Sequence, residues 1–169
     1  MTTSEKTMTG EHADLLQTLG KHRGFLRYTV RDLTDEQAAQ RTTASELCLG
    51  GLIKHVANVE HRWMRFILGG AEAMESEPLD WVGQFRMFEG ERLAGLLESY
   101  EQVARRTDEW VSTLPDLDAS HLLPEAPWFE PGASWSARRV LLHIVAETSQ
   151  HAGHADIIRE SLDGSKTMG

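Results

Sequence analysis

Cysteine is nearly absent from this chain of 169 residues, which contains only Cys48. A single cysteine excludes an intramolecular disulfide and favours a reducing compartment. The polar residues 1–6 do not resemble a secretory signal, and no run approaches the roughly 18 apolar residues that a membrane-spanning helix needs. The sequence therefore predicts a cytoplasmic protein and excludes an integral membrane protein.

Basic side chains are also scarce. The chain has 17 Lys and Arg residues against 26 Asp and Glu residues, which gives a formal net charge of −9. A nucleic-acid-binding surface needs clustered Lys and Arg to neutralise phosphates, and the arginine pairs at 105–106 and 138–139 are isolated. We therefore expect no nucleic-acid partner.

The length and apolar content of the chain suit one hydrophobic core, since 40% of the residues are hydrophobic and 25% are charged. We expect a single domain over residues 1–169, with a flexible N-terminus of about ten residues.

A sustained strand pattern is missing as well, because no segment alternates apolar and polar residues over a strand's length. Apolar residues recur instead at helical spacing in four segments. The predicted helices span 11–33, from Ser45 or Gly51 to Leu68, 91–114, and from 134–136 to just before Gly164. Thr34 and Gln37 resemble a capping box that opens a short helical turn. With two long connections, at 69–90 and 115–133, the pattern predicts an all-α four-helix bundle with long crossover connections.

The connection at 115–133 holds four prolines and several aromatic residues, so it cannot be continuous helix. We expect it to fold over one end of the bundle. Its aromatic residues Trp128 and Phe129, with Trp135 just beyond, either wall a site or fill a gap in the core. The sequence leaves both interpretations open.

Near the C-terminus, His143, Glu147, His151 and His154 follow one another at spacings of four, four and three. At about 100° per residue these side chains form one stripe along a helix. Apolar residues of the same helix share this arc and charged residues gather opposite, so the stripe faces inward. Because unsatisfied polar groups are costly to bury, the stripe predicts part of a metal site.

A third ligand is available on the second predicted helix, where His55 lies on the apolar arc. A lone inward histidine is more often a satisfied core residue, but a facing helix that supplies Glu147 and His151 one turn apart favours a shared metal ion. We predict His55, Glu147 and His151 as the ligands. Glu60 lies at the edge of the arc and is predicted to be a second-shell or structural residue.

His143 and His154 are predicted to orient a ligand or to contact the substrate, since ligating imidazoles need a partner for their other nitrogen. The remaining histidines are expected at chain ends, on exposed faces or in a loop, without a metal role: His12, His22, His61 and His121.

Three segments together resemble the DinB-like superfamily of four-helix bundles, in particular its mini-circle protein branch. They are residues 22–26 (HRGFL), 50–57 (GGLIKHVA) and 151–156 (HAGHAD), and the resemblance covers nearly the whole length. The chain is also similar to the mycothiol-dependent maleylpyruvate isomerases, which have Glu at the position of Glu147. It departs from the usual Gly-Gln pair, since Gly153 is followed by His154, so the role of His154 is open.

The resemblance implies a divalent metal ion, zinc or nickel, held by His55, Glu147 and His151. It also implies a small-molecule substrate and a low-molecular-weight thiol such as mycothiol as co-substrate, in a transferase or isomerase. The alternatives are a metal-dependent hydrolase, a bundle that binds a metal or small ligand without turnover, and a purely structural bundle. Apolar helix faces are also compatible with a homodimer. The sequence does not specify the catalytic residues, the substrate or the identity of the metal ion.

Overall fold

The computed structural model describes residues 8–167, so the predicted N-terminal flexibility falls largely outside the described residues. Within that range the long helices are α1 (Gly10–Tyr28), α3 (Leu49–Glu75), α4 (Leu93–Thr113) and α5 (Ala137–Asp163). The shorter elements are α2 (Asp35–Ala39), a 3-10 turn (Gly83–Phe85), β1 (Ser120–Leu122) and β2 (Ser134–Ser136). The predicted all-α bundle is confirmed. Over the same residues, no helix combines the length and the apolarity that crossing a bilayer requires.

The long helices form a closed ring of contacts. Helix α1 packs on α4 and α5, and α3 packs on the same two helices from the other side. Helices α3 and α4 are therefore neighbours joined by residues 76–92, whereas the connections 29–48 and 114–136 pass between helices that face each other across the bundle. This arrangement places α3 directly against α5, as a metal site shared between them requires.

Local signals explain several helix ends. The capping box predicted at Thr34 is present, since its side chain accepts from the Gln37 backbone N–H and the Gln37 side chain accepts from the Thr34 backbone N–H. Ser136 caps α5 at its start, and Gly164 ends it in the left-handed conformation with φ 79°. The end of α5 just before Gly164 agrees with the prediction.

Helix α1 is shorter than predicted, because it ends at Tyr28 rather than near residue 33. The buried guanidinium of Arg159 on α5 donates to the carbonyls of Thr29 and Arg31, at 2.7 Å each. These two carbonyls therefore accept hydrogen bonds from α5 instead of from the backbone N–H groups that would extend α1. Asp32 then turns the chain with a φ of 58°.

Helix α3 is interrupted directly after Leu68, the residue at which its end was predicted. Gly69 and Gly70 leave helical geometry, and Gly70 has a φ of 72°, a conformation that favours glycine. The helix resumes after this kink and ends at Glu75, so the predicted end at Leu68 was too early. The imidazole of His121 lies against Gly70, and its Nε2 is 3.1 Å from the carbonyl oxygen of Ile67.

A small antiparallel sheet, formed by β1 and β2, was not predicted from the sequence. Ser120 pairs with Ser136, and His121 pairs with Trp135. Each strand has three residues, too few for a period-two pattern to show. The sheet anchors the long connection to the start of α5.

Gly51 on α3 allows the 3-10 turn to approach the bundle closely. A Cβ atom at this position would lie 1.9 Å from the carbonyl oxygen of Phe85. Any other residue would push the turn away from the helix one turn before His55. This approach matters because residues 84 and 85 contact the candidate site.

Candidate metal centre

The structure brings the three predicted ligands together. His55 comes from α3, Glu147 and His151 come from α5, and one donor atom from each lies within 4.8 Å of the others. An oxygen of Glu147 is 3.8 Å from Nε2 of His55 and 3.5 Å from Nε2 of His151. His55 is buried and the other two are half-buried. The two imidazoles and the carboxylate thus converge on one point between two helices.

The orientation of His55 is set by residues outside the two helices. Its Nδ1 lies 2.9 Å from Oε1 of buried Gln84, and the Gln84 Nε2 donates to the carbonyl of Trp81. With its amide nitrogen committed to that carbonyl, Gln84 offers an acceptor to His55, so Nδ1 carries the hydrogen. Nε2, which faces Glu147, is therefore the ring nitrogen available to bind a metal ion. Phe85 stacks on the imidazole with ring centroids 4.2 Å apart.

The second histidine has a partner as well. His151 directs Nε2 toward Glu147, and its Nδ1 lies 3.3 Å from Nδ1 of His154. One of these two nitrogens must donate and the other accept. The predicted role of His154 in orienting a ligand is compatible with this contact, and His154 itself is exposed.

Glu147 is ionised at the centre of the group. The imidazoles of His151 and His55 hold the pKa of its carboxyl well below the usual range, and they outweigh the opposing effect of burial. A carboxylate beside two imidazole nitrogens is a donor set that proteins use for zinc and other divalent ions. The residues present therefore fit a divalent metal ion.

His143 lies beside this centre, with Nε2 4.0 Å from an oxygen of Glu147. Its ring meets those of Trp63 and Trp135 edge to face, with centroids 4.9 and 5.2 Å away. Burial lowers the pKa of His143 despite the opposing charge of Glu147, so the ring is neutral at neutral pH.

Glu60, predicted as a second-shell or structural residue, has both carboxylate oxygens bound to another group. It is fully buried, and Arg23 of α1 donates to the two oxygens at 2.5 and 3.1 Å. This pairing ties α1 to α3 and favours the structural interpretation.

Among the other histidines, His12 differs from expectation, since it is buried and its Nε2 lies 3.2 Å from the Leu114 carbonyl oxygen. It sits where α1 meets the end of α4. His61 is paired with Glu77, at 3.0 Å.

Gln84 and Phe85 are the site residues that sequence reasoning missed. They lie in the connection between α3 and α4, where no periodic pattern marks them. Only the close packing of the 3-10 turn on Gly51 brings them to His55. A glutamine in a loop carries no signal of such a role.

Replacing Gln84 by leucine is expected to weaken metal binding by about 10- to 100-fold, because His55 loses the acceptor that fixes its tautomer and orientation. Gln84→Glu keeps an acceptor oxygen for His55 but loses the Nε2 donor to the Trp81 carbonyl, so it is expected to bind metal with an affinity between those of the wild type and Gln84→Leu. Competition with a chromophoric chelator measures both values. Equal affinity in Gln84→Leu and the wild type would show that this contact does not prepare His55 for a metal.

A cavity of about 440 Å³ opens beside the centre, and we name it the tryptophan cavity. His55, Glu147 and His143 contribute to its lining. Its apolar wall includes Trp63, Met74, Leu79, Trp81, Trp128 and Phe129. The aromatic residues of the long connection thus divide: Trp135 stacks on Trp63 with centroids 5.0 Å apart, whereas Trp128 and Phe129 wall the cavity.

Comparison with known proteins places this geometry in a family. A solved structure, described as the conserved protein of a locus from Enterococcus faecalis, is similar in fold, with a TM-score of 0.63 at 13% sequence identity; the match covers 90% of this chain and 97% of that one. No curated protein matches the chain significantly. The family model described as mycothiol-S-transferase matches residues 14–164, nearly the whole chain. The chain therefore belongs to the mycothiol-S-transferase family, a DinB-like family, in agreement with the resemblance seen in the sequence.

Proposed function

We propose that this protein transfers mycothiol, through its sulfur atom, to an electrophilic acceptor, with a divalent ion, zinc or nickel, held by His55, Glu147 and His151. The main support for this proposal is that these three donors converge beside a cavity in a chain that belongs to the mycothiol-S-transferase family. Imidazole and carboxylate ligands suit both ions. Catalysis is favoured over a structural role because three protein ligands leave a coordination position open.

A divalent ion supplies positive charge that lowers the pKa of a nearby thiol and makes sulfur a nucleophile at neutral pH. The chain's own residues prepare the site. Gln84 directs the free nitrogen of His55 toward the centre, and the ionised Glu147 contributes a negative donor. The tryptophan cavity adjoins these groups and can hold an acceptor next to them.

The reaction balances as a substitution. A carbon–sulfur bond forms on the acceptor, the bond to the leaving group breaks, and the leaving group departs with the electron pair. The thiol proton passes to water.

The test is an assay with mycothiol and 1-chloro-2,4-dinitrobenzene, followed by absorbance of the thioether. We expect metal-loaded protein to accelerate transfer, and removal of the metal with a chelator to lower the rate by about 100-fold or more. Restoring zinc or nickel separately identifies the active ion. Absence of thiol-dependent turnover with a varied set of electrophiles would contradict the proposal.

The competing functions have their own readouts in the same preparation. Metal-dependent cleavage of p-nitrophenyl acetate without any thiol would favour a hydrolase. Stoichiometric metal with neither reaction would favour a non-catalytic binding bundle. The cytoplasmic location and the homodimer stay predictions from the sequence, the latter testable by sedimentation.

A further inference from the structure

The mouth of the tryptophan cavity is formed by two exposed indoles from different connections. Trp81 precedes the 3-10 turn and is 60% exposed, and Trp128 lies between β1 and β2 and is 65% exposed. Their ring centroids are 5.8 Å apart at an interplanar angle of 64°. Large aromatic side chains this exposed contribute little to the core, so packing alone does not explain their position at a cavity.

From this mouth, aromatic rings follow one another to the metal centre. Trp128 meets Phe129 with centroids 6.2 Å apart, Phe129 meets Trp63 at 6.2 Å, and Trp63 meets His143 at 4.9 Å. His143 then lies 4.0 Å from Glu147. Aromatic rings therefore line the cavity from its mouth to the candidate ligands.

The charges of the cavity do not select a charged ligand. Both signs are present: Arg62 is positive, Glu147 is a candidate metal ligand, and two further carboxylates belong to Glu75 and Glu125. The two carboxylates are exposed, and the Arg62 guanidinium already donates to the Glu77 carbonyl. A hydroxyl-rich molecule finds few partners on a wall of indole and phenyl rings. Such a wall suits a flat apolar ring, which gains from stacking and edge-to-face contacts.

We infer that the tryptophan cavity binds the acceptor of the transfer, that this acceptor is a neutral, planar aromatic electrophile, and that Trp81 and Trp128 determine its selection. The assignment of the ligand as acceptor rests on the proposed function, whereas its binding does not require turnover. With 1-chloro-2,4-dinitrobenzene, the ring carbon gains sulfur and loses chloride with its electron pair, and the thiol proton passes to water.

Calorimetric titration with 1,3-dinitrobenzene tests the binding alone, because this probe has no leaving group and does not react with thiols. We expect Trp81→Ala and Trp128→Ala each to raise the dissociation constant by about fivefold. Trp128→Phe keeps a ring and is expected to lose less. Ile157→Ala is the matched control, since Ile157 is 65% exposed on α5 outside the cavity lining. Unchanged binding in both tryptophan variants, or none in the wild type, would overturn the inference.

A kinetic comparison then tests selection. Trp128→Ala is expected to lower kcat/KM for 1-chloro-2,4-dinitrobenzene by about fivefold and to leave that for iodoacetamide, a small aliphatic electrophile, unchanged. Equal losses for both would contradict a role in selecting aromatic acceptors. Mycothiol transfer could fail with every acceptor while the tryptophan variants still bind 1,3-dinitrobenzene more weakly than the wild type. In that case the proposed function is wrong and the aromatic binding site stands. If transfer proceeds while 1,3-dinitrobenzene does not bind, the inference is wrong and the function stands.

Discussion

Replacing His151 with alanine is expected to release the metal ion and to stop thiol transfer. The described residues bring three donors together at this centre, so the variant would leave only His55 and Glu147. Removing a metal ligand should weaken metal binding more than removing a residue that only orients a ligand, such as Gln84. We therefore expect the affinity for the metal ion to fall by more than about 100-fold. His55→Ala should behave alike. Elemental analysis after dialysis, together with the mycothiol assay, measures both effects.

His61→Ala is the control for these variants, because His61 lies on the same helix as His55 but pairs with Glu77. It should keep its metal and its activity. Circular dichroism separates metal loss from unfolding. Full metal content in both His55→Ala and His151→Ala would place the ion elsewhere, and a metal-free wild type would favour the purely structural bundle.

The largest loss of stability is expected for Arg23→Met. Arg23 of α1 is buried, and its guanidinium binds both oxygens of the fully buried Glu60 and one oxygen of Asp108 on α4. Removing it leaves the Glu60 charge buried without its partner. We expect the free energy of unfolding to fall by about 3 to 5 kcal/mol, measured by urea denaturation with chelator present so that metal does not contribute.

Two further variants make this prediction specific. Arg23→Met combined with Glu60→Leu should recover much of the loss, since no uncompensated charge remains. Arg138→Met removes an arginine whose ion pairs with Glu11 and Asp118 lie at the surface, and it should change stability little. A loss in Arg23→Met no larger than in Arg138→Met would contradict the burial argument.

The helical spacing of apolar residues was enough to predict most of the fold and the positions of the three candidate ligands. Side chains repeat at a fixed angle around a helix, so the inward faces of α3 and α5 could be predicted from the sequence. His55, Glu147 and His151 were assigned to these two facing surfaces. The cap at Thr34 and the position of the interruption at Gly69 and Gly70 could be predicted because their chemistry is local, although α3 was expected to end there rather than to resume.

The remaining features depend on contacts between distant segments. The early end of α1 is set by Arg159, about 130 residues later, and the contact of Gln84 with His55 depends on the space left at Gly51. Trp128 is exposed whereas Trp135 stacks on Trp63, and this difference also depends on how one connection folds. No local pattern encodes such pairings.

The break at Gly69 and Gly70 separates the part of α3 that holds His55 from the segment that follows it. Before the break, α3 holds His55 in register with α5; after it, the redirected segment carries Met74 and Glu75 into the cavity wall. The two mouth residues, Trp81 and Trp128, lie on connections, which tolerate insertions and deletions more readily than packed helices do. Changes in loop length and composition can therefore alter the shape of the cavity without moving the three donors on α3 and α5.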